Sequence, residues 1–109
     1  MRKARVFVNK FLAGYLIEQG LIGQDNKKSY IFEYANNYAG PPISLTMPTI
    51  KKTYEFIEFP PFFEGVLPEG PQLEALLRSA KIDRNDFFGQ LVTVGADLVG
   101  AVTVQEYRE

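Results

Sequence analysis

All seven prolines of this 109-residue chain fall between residues 41 and 71: Pro41, Pro42, Pro48, Pro60, Pro61, Pro68 and Pro71. Each ring fixes φ and removes an N–H donor, so neither a long helix nor a central strand can run through that stretch. Only short strands, such as 43–47 and 54–59, fit between the prolines. The chain is thereby divided into a part that must build its regular structure before residue 41 and a part that must start again near residue 71.

The first part reads as β structure. Ala4, Val6 and Val8 alternate with Arg5 and Phe7, Asn9-Lys10 is a turn candidate, and residues 11–17 are apolar on both faces, as in a covered strand. Gly20, Gly23, Asp25 and Asn26 mark a loop, after which Tyr30, Phe32 and Tyr34 share one face and Ile31 and Glu33 the other. This pattern predicts an antiparallel meander. In the second part, Gly70-Pro71 supplies an N-cap and a proline at the first helical position. Leu73, Leu76, Leu77 and Ala80 then form one apolar stripe. Asp83 reads as the N-cap of a further helix with Asp86 in its first turn, Phe87, Phe88, Leu91 and Val92 as its buried face, and Gly95 as a left-handed stop. Residues 99–104 return to β-rich composition. The expectation is one α+β domain over 1–109: an antiparallel sheet from the N-terminal half plus a C-terminal closing strand, packed on two to three helices near 71–80 and 84–94. With 46% hydrophobic residues, a chain of this size can bury roughly 65% of its unfolded surface.

The side chains that are missing restrict the chemistry. The chain has no histidine and no cysteine, which excludes Ser–His and Cys–His nucleophiles, thiolate metal sites and disulfides. Gly95-x-x-x-x-Gly100 has the spacing of a phosphate loop, but Ala101-Val102 follow where lysine and a hydroxyl would be needed. Glu64 and Glu69 read as solvated loop carboxylates, and Asp83 and Asp86 as caps, so that with Asp97 they fit no metal loop. No cofactor or metal is expected. A net charge of −1 argues against a broad nucleic-acid-binding field. No apolar stretch approaches the roughly 20 residues that span a bilayer. A cytoplasmic protein without direct contact to nucleic acid or membrane is the expectation.

One segment stands out. Phe56, Phe59, Phe62, Phe63 and Leu67 lie among prolines and glycines, interleaved with Glu55, Glu58, Glu64, Glu69 and Glu74 and with no lysine or arginine between them. Such rings can pack under the loop as a satellite cluster. They can equally be offered to a partner protein, with the glutamates suiting a basic surface.

Pro61-Phe62-Phe63-Glu64-Gly65-Val66-Leu67-Pro68-Glu69-Gly70 resembles the "FF-x-G/N-L-L-P-E/D" signature in the N-terminal subdomain of HipA-type serine/threonine kinases, the toxins of bacterial toxin–antitoxin modules. Val8-Asn9 with Ala13-Gly14-Tyr15-Leu16 is similar to the first hairpin of that family, and Pro42-Ile43-Ser44-Leu45-Thr46-Met47-Pro48 to its "PLSLSLP" strand. Gly95-Ala96-Asp97-Leu98-Val99-Gly100-Ala101-Val102 resembles its closing strand. Four motifs in order over about 100 residues make the resemblance specific. The kinase that follows in HipA, with its nucleotide loop and catalytic aspartate, has no counterpart here. The resemblance therefore implies a non-catalytic module like the HipS component of split HipBST systems, where HipS acts as antitoxin to a short HipT kinase and HipB is a helix-turn-helix DNA-binding protein. The alternatives are a structural N-terminal fragment of a full-length HipA-type kinase and, more remotely, a small independent enzyme. On the HipS-like reading, Phe62, Phe63, Glu64, Leu67, Pro68 and Glu69 face the kinase with Phe63 as anchor, and a HipB-like protein joins a ternary complex.

Overall fold

The computed structural model describes residues 2–20, 28–98 and 100–107. The chain forms β1 (Arg2–Val8), β2 (Phe11–Gln19), β3 (Ser29–Tyr34), β4 (Thr53–Phe56), α1 (Pro61–Glu64), α2 (Gly70–Ala80), α3 (Phe87–Val94) and β5 (Val102–Glu106), with a 3-10 turn Gly95–Asp97 after α3. The strands make one sheet in the order β4-β3-β2-β1-β5, with every neighbouring pair antiparallel. This is the α+β architecture expected, closed by a C-terminal strand. Of the loop residues read from the sequence, Gly23, Asp25 and Asn26 lie outside the described residues, as does Val99.

The register follows from the apolar alternation. Asn9 (φ 50°) and Lys10 (φ 74°) form a two-residue turn with both φ values positive, the geometry that matches the twist of a hairpin. Val6 then lies opposite Gly14 on one side and Val104 on the other. One sheet face carries the core: Ala4, Val6, Val8, Leu16, Phe32, Tyr34 and Val104 pack beneath Phe59, Phe63, Phe88 and Leu91.

The proline-rich stretch departs from expectation. Residues 43–47 form no strand. Ile43 donates its N–H to the Tyr34 hydroxyl at 3.1 Å, that hydroxyl donates to the Met47 carbonyl, and the Met47 N–H returns to Ser44 O at 3.0 Å. A buried phenol thus does what a ladder would have done, and burial pushes its pKa up. β4 is shorter than 54–59, and Pro60-Pro61 opens α1, a one-turn helix in which the N–H groups of Phe63 and Glu64 reach Pro60 O, each at 3.0 Å.

The helix ends differ too. The N-cap of α2 is Glu69, and Gly70 sits just inside it at φ 59°, a left-handed value that glycine tolerates. Asp86, not Asp83, caps α3, accepting the Gly89 N–H at 3.0 Å. The Asp83 carbonyl is instead held by Asp86 N–H at 3.0 Å and by Nε2 of the buried Gln90 at 3.1 Å. Gly95 is not left-handed (φ −57°, ψ −28°). It is needed for another reason, since a Cβ there would lie 2.0 Å from the Val104 carbonyl oxygen.

Arg2 ties the sheet to α3. Its guanidinium donates to both oxygens of Glu18 (2.7 and 2.9 Å) and both oxygens of Asp86 (3.2 and 2.7 Å) and lies 4.9 Å from the Phe88 ring centroid. Tyr30, pushed up to about 12 by burial and by the Glu18 carboxylate, donates to Glu18 at 3.3 Å. The hydrogen bond from Arg2 holds the Asp86 carboxyl below its ordinary range. A depressed folded-state pKa gives stability that is present above the unfolded value near 3.9 and is lost as pH falls through the folded value. Denaturant midpoints are therefore expected to stay level from neutral pH to about pH 5 on this account and to fall below about pH 4. Arg2→Ala should cost about 1–2 kcal/mol at pH 7, less than for a fully buried pair because Arg2 is part-exposed, and should flatten the acid slope. A slope in the variant as steep as in wild type would contradict the assignment.

Candidate partner-binding surface

The segment singled out in the sequence spans α1, the turn after it and the start of α2. Pro60 and Pro61 pre-set the backbone, Gly65 N–H bonds Pro61 O at 2.9 Å, and Leu67 N–H bonds Glu64 O at 3.2 Å. The loop is thus built by its own main chain.

The six residues predicted to face a partner do not share one surface. Phe63 is fully buried; its ring lies 6.0 Å from Phe32 and 5.1 Å from Phe62. It packs in the core of this chain, whereas the expectation had it as the anchor against a kinase. The cause is α1: one helical turn starting at Pro61 directs position 63 onto the sheet, where a loop would have left its direction open. Phe62 is half-buried against Phe63, and Glu64 is exposed on α1. Leu67, Pro68 and Glu69 line a groove of about 860 Å³, whose other wall comes from Gln72 and Leu76 of α2, Thr93 and Val94 of α3, and Asp97 and Leu98 beyond it.

The sequence shows Leu73, Leu76 and Leu77 only as one apolar stripe of a helix expected to pack on the sheet, and so does not reveal the second wall. In the structure α2 buries none of its residues fully, and all three leucines remain half-exposed. An apolar stripe of this kind normally faces a core; here the domain does not supply enough surface to cover it. Glu69 and Asp97 line the groove and are exposed, Glu64 is exposed on α1, Glu74 pairs with Arg84 at 2.5 Å, and Arg78 is an exposed cation in the last turn of α2. Among the described residues there is no group of three potential metal ligands, and no helix is long and apolar enough to cross a membrane.

Fold and surface together define a small α+β domain with a covered sheet face and an incompletely covered helical side. Residues 4–105 match the HipA N-terminal domain family. The chain is 31% identical over 99 residues to an "Uncharacterized protein" of Haemophilus influenzae strain Rd, covering 91% of each chain. It superimposes on a solved structure, "N-terminal domain of HipA toxin", with a TM-score of 0.74 and 24% identity, over 100% of this chain and 95% of that one. The chain belongs to the HipA N-terminal domain family. The match covers that domain alone and no part of a kinase catalytic domain.

Proposed function

We propose that this domain is a non-catalytic antitoxin that binds a HipT- or HipA-like serine/threonine kinase in the bacterial cytoplasm and holds it inactive, with a HipB-like helix-turn-helix protein as third member of the complex. The observation that carries the reading is the half-exposed leucine stripe of α2 beside Leu67 and Pro68, rimmed by carboxylates. Apolar centre and charged rim are the anatomy of a protein interface. The acidic rim suits a basic kinase surface and steers encounter. Phe62, Glu64, Leu67, Pro68 and Glu69 remain the proposed contacts, joined by Gln72 and Leu76, while Phe63 supports them from below. Inhibition needs no chemistry from this chain. A protein that binds the inactive kinase conformation more tightly than the active one shifts the population by that difference, and about 5.5 kcal/mol takes it from 1:99 to 99:1.

The test is co-expression with the short kinase of the same genome. Growth arrest by the kinase should be relieved, and the two proteins should co-purify and stay together at micromolar concentration. A kinase that stays toxic and forms no complex would refute the proposal.

A further inference from the structure

A second groove lies at the opposite end of the chemistry scale. About 640 Å³ in volume, it runs between the β1–β2 turn and the loop after β3, walled by Val8, Phe11, Leu12, Ala35, Tyr38 and Pro41. Its walls are preformed. Ala35 N–H bonds Ala13 O at 2.7 Å, anchoring the loop to β2. Tyr38 stacks on Tyr34 (centroids 5.8 Å apart, planes within 6°) and its hydroxyl donates to Pro41 O at 2.5 Å. Because the Asn9-Lys10 turn reverses the chain with positive φ at both residues, Phe11 emerges beside the groove and is 72% exposed.

The lining is predominantly apolar and contains no carboxylate. Two cations flank it. Lys10 lies between the lining residues Asn9 and Phe11, and the Lys52 ammonium donates to Oδ1 of Asn36, itself a lining residue. The groove beside α2 carries the reverse sign, with Glu69 and Asp97 in its lining and no lysine or arginine. One domain thus presents an apolar cleft flanked by lysines and a second cleft, of mixed lining, that carries carboxylates.

We propose that the Phe11–Tyr38 groove is a docking site for an acidic linear peptide segment of a partner protein, one aromatic or aliphatic side chain lying against Phe11 and Tyr38 and flanking carboxylates meeting Lys10 and Lys52. Charge complementarity selects this occupant. A preformed wall lowers the ordering cost to that of the peptide alone. The concave shape suits a side chain better than a lipid surface, which needs apolar groups projecting together.

The proposal is independent of the kinase reading and can be tested on the free domain. A displayed library of random peptides of about a dozen residues is selected against it. The enriched peptides are then titrated at low and high salt. The expected winners carry two or more Asp/Glu around an aromatic or branched residue and bind more weakly in high salt. Phe11→Ser and the pair Lys10→Glu/Lys52→Glu should each raise Kd at least about tenfold, with melting close to wild type because all three side chains are exposed. Leu76→Gln, in the other groove, should leave Kd unchanged. Absence of enrichment, winners without carboxylates, or Kd values indifferent to these substitutions would overturn the proposal. So would Phe11-dependent sedimentation with anionic phospholipid vesicles in the absence of peptide binding. Loss of kinase binding alone leaves this result intact, so the two readings fail separately.

Discussion

Replacing Phe63 by alanine is expected to destabilise the free domain by about 3–5 kcal/mol, the range for removing a buried phenylalanine ring. The ring is fully buried, in contact with Phe62 and near Phe32, and the helix that carries it is a single turn whose hold on the sheet depends on that side chain. For a domain of about 100 residues each kcal/mol shifts Tm by roughly 4–6 °C, so a fall of about 12–30 °C is expected, close to complete unfolding at 37 °C for a marginal domain. Thermal and urea denaturation of the free variant measure this. A variant that melts like wild type would show that Phe63 is not where the structure puts it. Any loss of kinase binding in this variant would be secondary to unfolding and would say nothing about the interface.

The complementary result concerns Leu67→Gln combined with Leu76→Gln. Both leucines are half-exposed and line the groove beside α2; at Leu76, the one of the two inside a helix, glutamine keeps the helix propensity of leucine within a few tenths of a kcal/mol. Leu67 also packs partly against the core, so the free double variant should stay folded but melt several degrees below wild type, and its affinity is to be read at a temperature where it is fully folded. Its affinity for the cognate kinase should fall at least thirtyfold, about 2 kcal/mol, as for truncated anchor residues at the centre of an interface. Calorimetry and rescue of growth on co-expression read this out. Unchanged affinity would remove the α2 groove from the kinase interface and leave the exposed rim to account for binding.

Set side by side, these substitutions show which features were legible in the sequence. The meander was, because the alternation in residues 4–8 and 30–34 can satisfy only one sheet face and Asn9-Lys10 marks the first turn; residues 11–17, apolar on both faces in the sequence, were expected to be covered on both and are fully buried on one side only. The closing strand was legible from composition, and its described extent is Val102–Glu106. Residues 43–47 misled, because their β-rich composition competes with a contact invisible in sequence: the Tyr34 hydroxyl, nine residues away, takes the Ile43 N–H. Asp83 and Asp86 both suit an N-cap, and the guanidinium of Arg2, at the far end of the chain, helps to hold Asp86 in that place. Phe63 and Leu76 exchanged roles for one reason. Periodicity identifies an apolar face but not what covers it, so a leucine stripe was assigned inward and a loop phenylalanine outward. The short α1, set by two prolines, reversed the phenylalanine, and the limited size of the domain left the leucines partly uncovered.

The place of β1 in the sheet governs the order of events in folding. Its first partner, β2, is two residues away; its second, β5, pairs Ala4 with Glu106, almost a full chain length later. The hairpin forms on a microsecond timescale, whereas the distant pairing must first overcome the loop-closure entropy of about 100 residues. Until β5 arrives, β1 presents a bare row of backbone N–H and C=O groups beside a folded meander, a template for any extended chain nearby. The hazard of this domain is therefore kinetic: its yield on refolding should depend on protein concentration more than its equilibrium stability does, and closure of that edge, with Gly95 seated against the Val104 carbonyl, is the step that ends the competition.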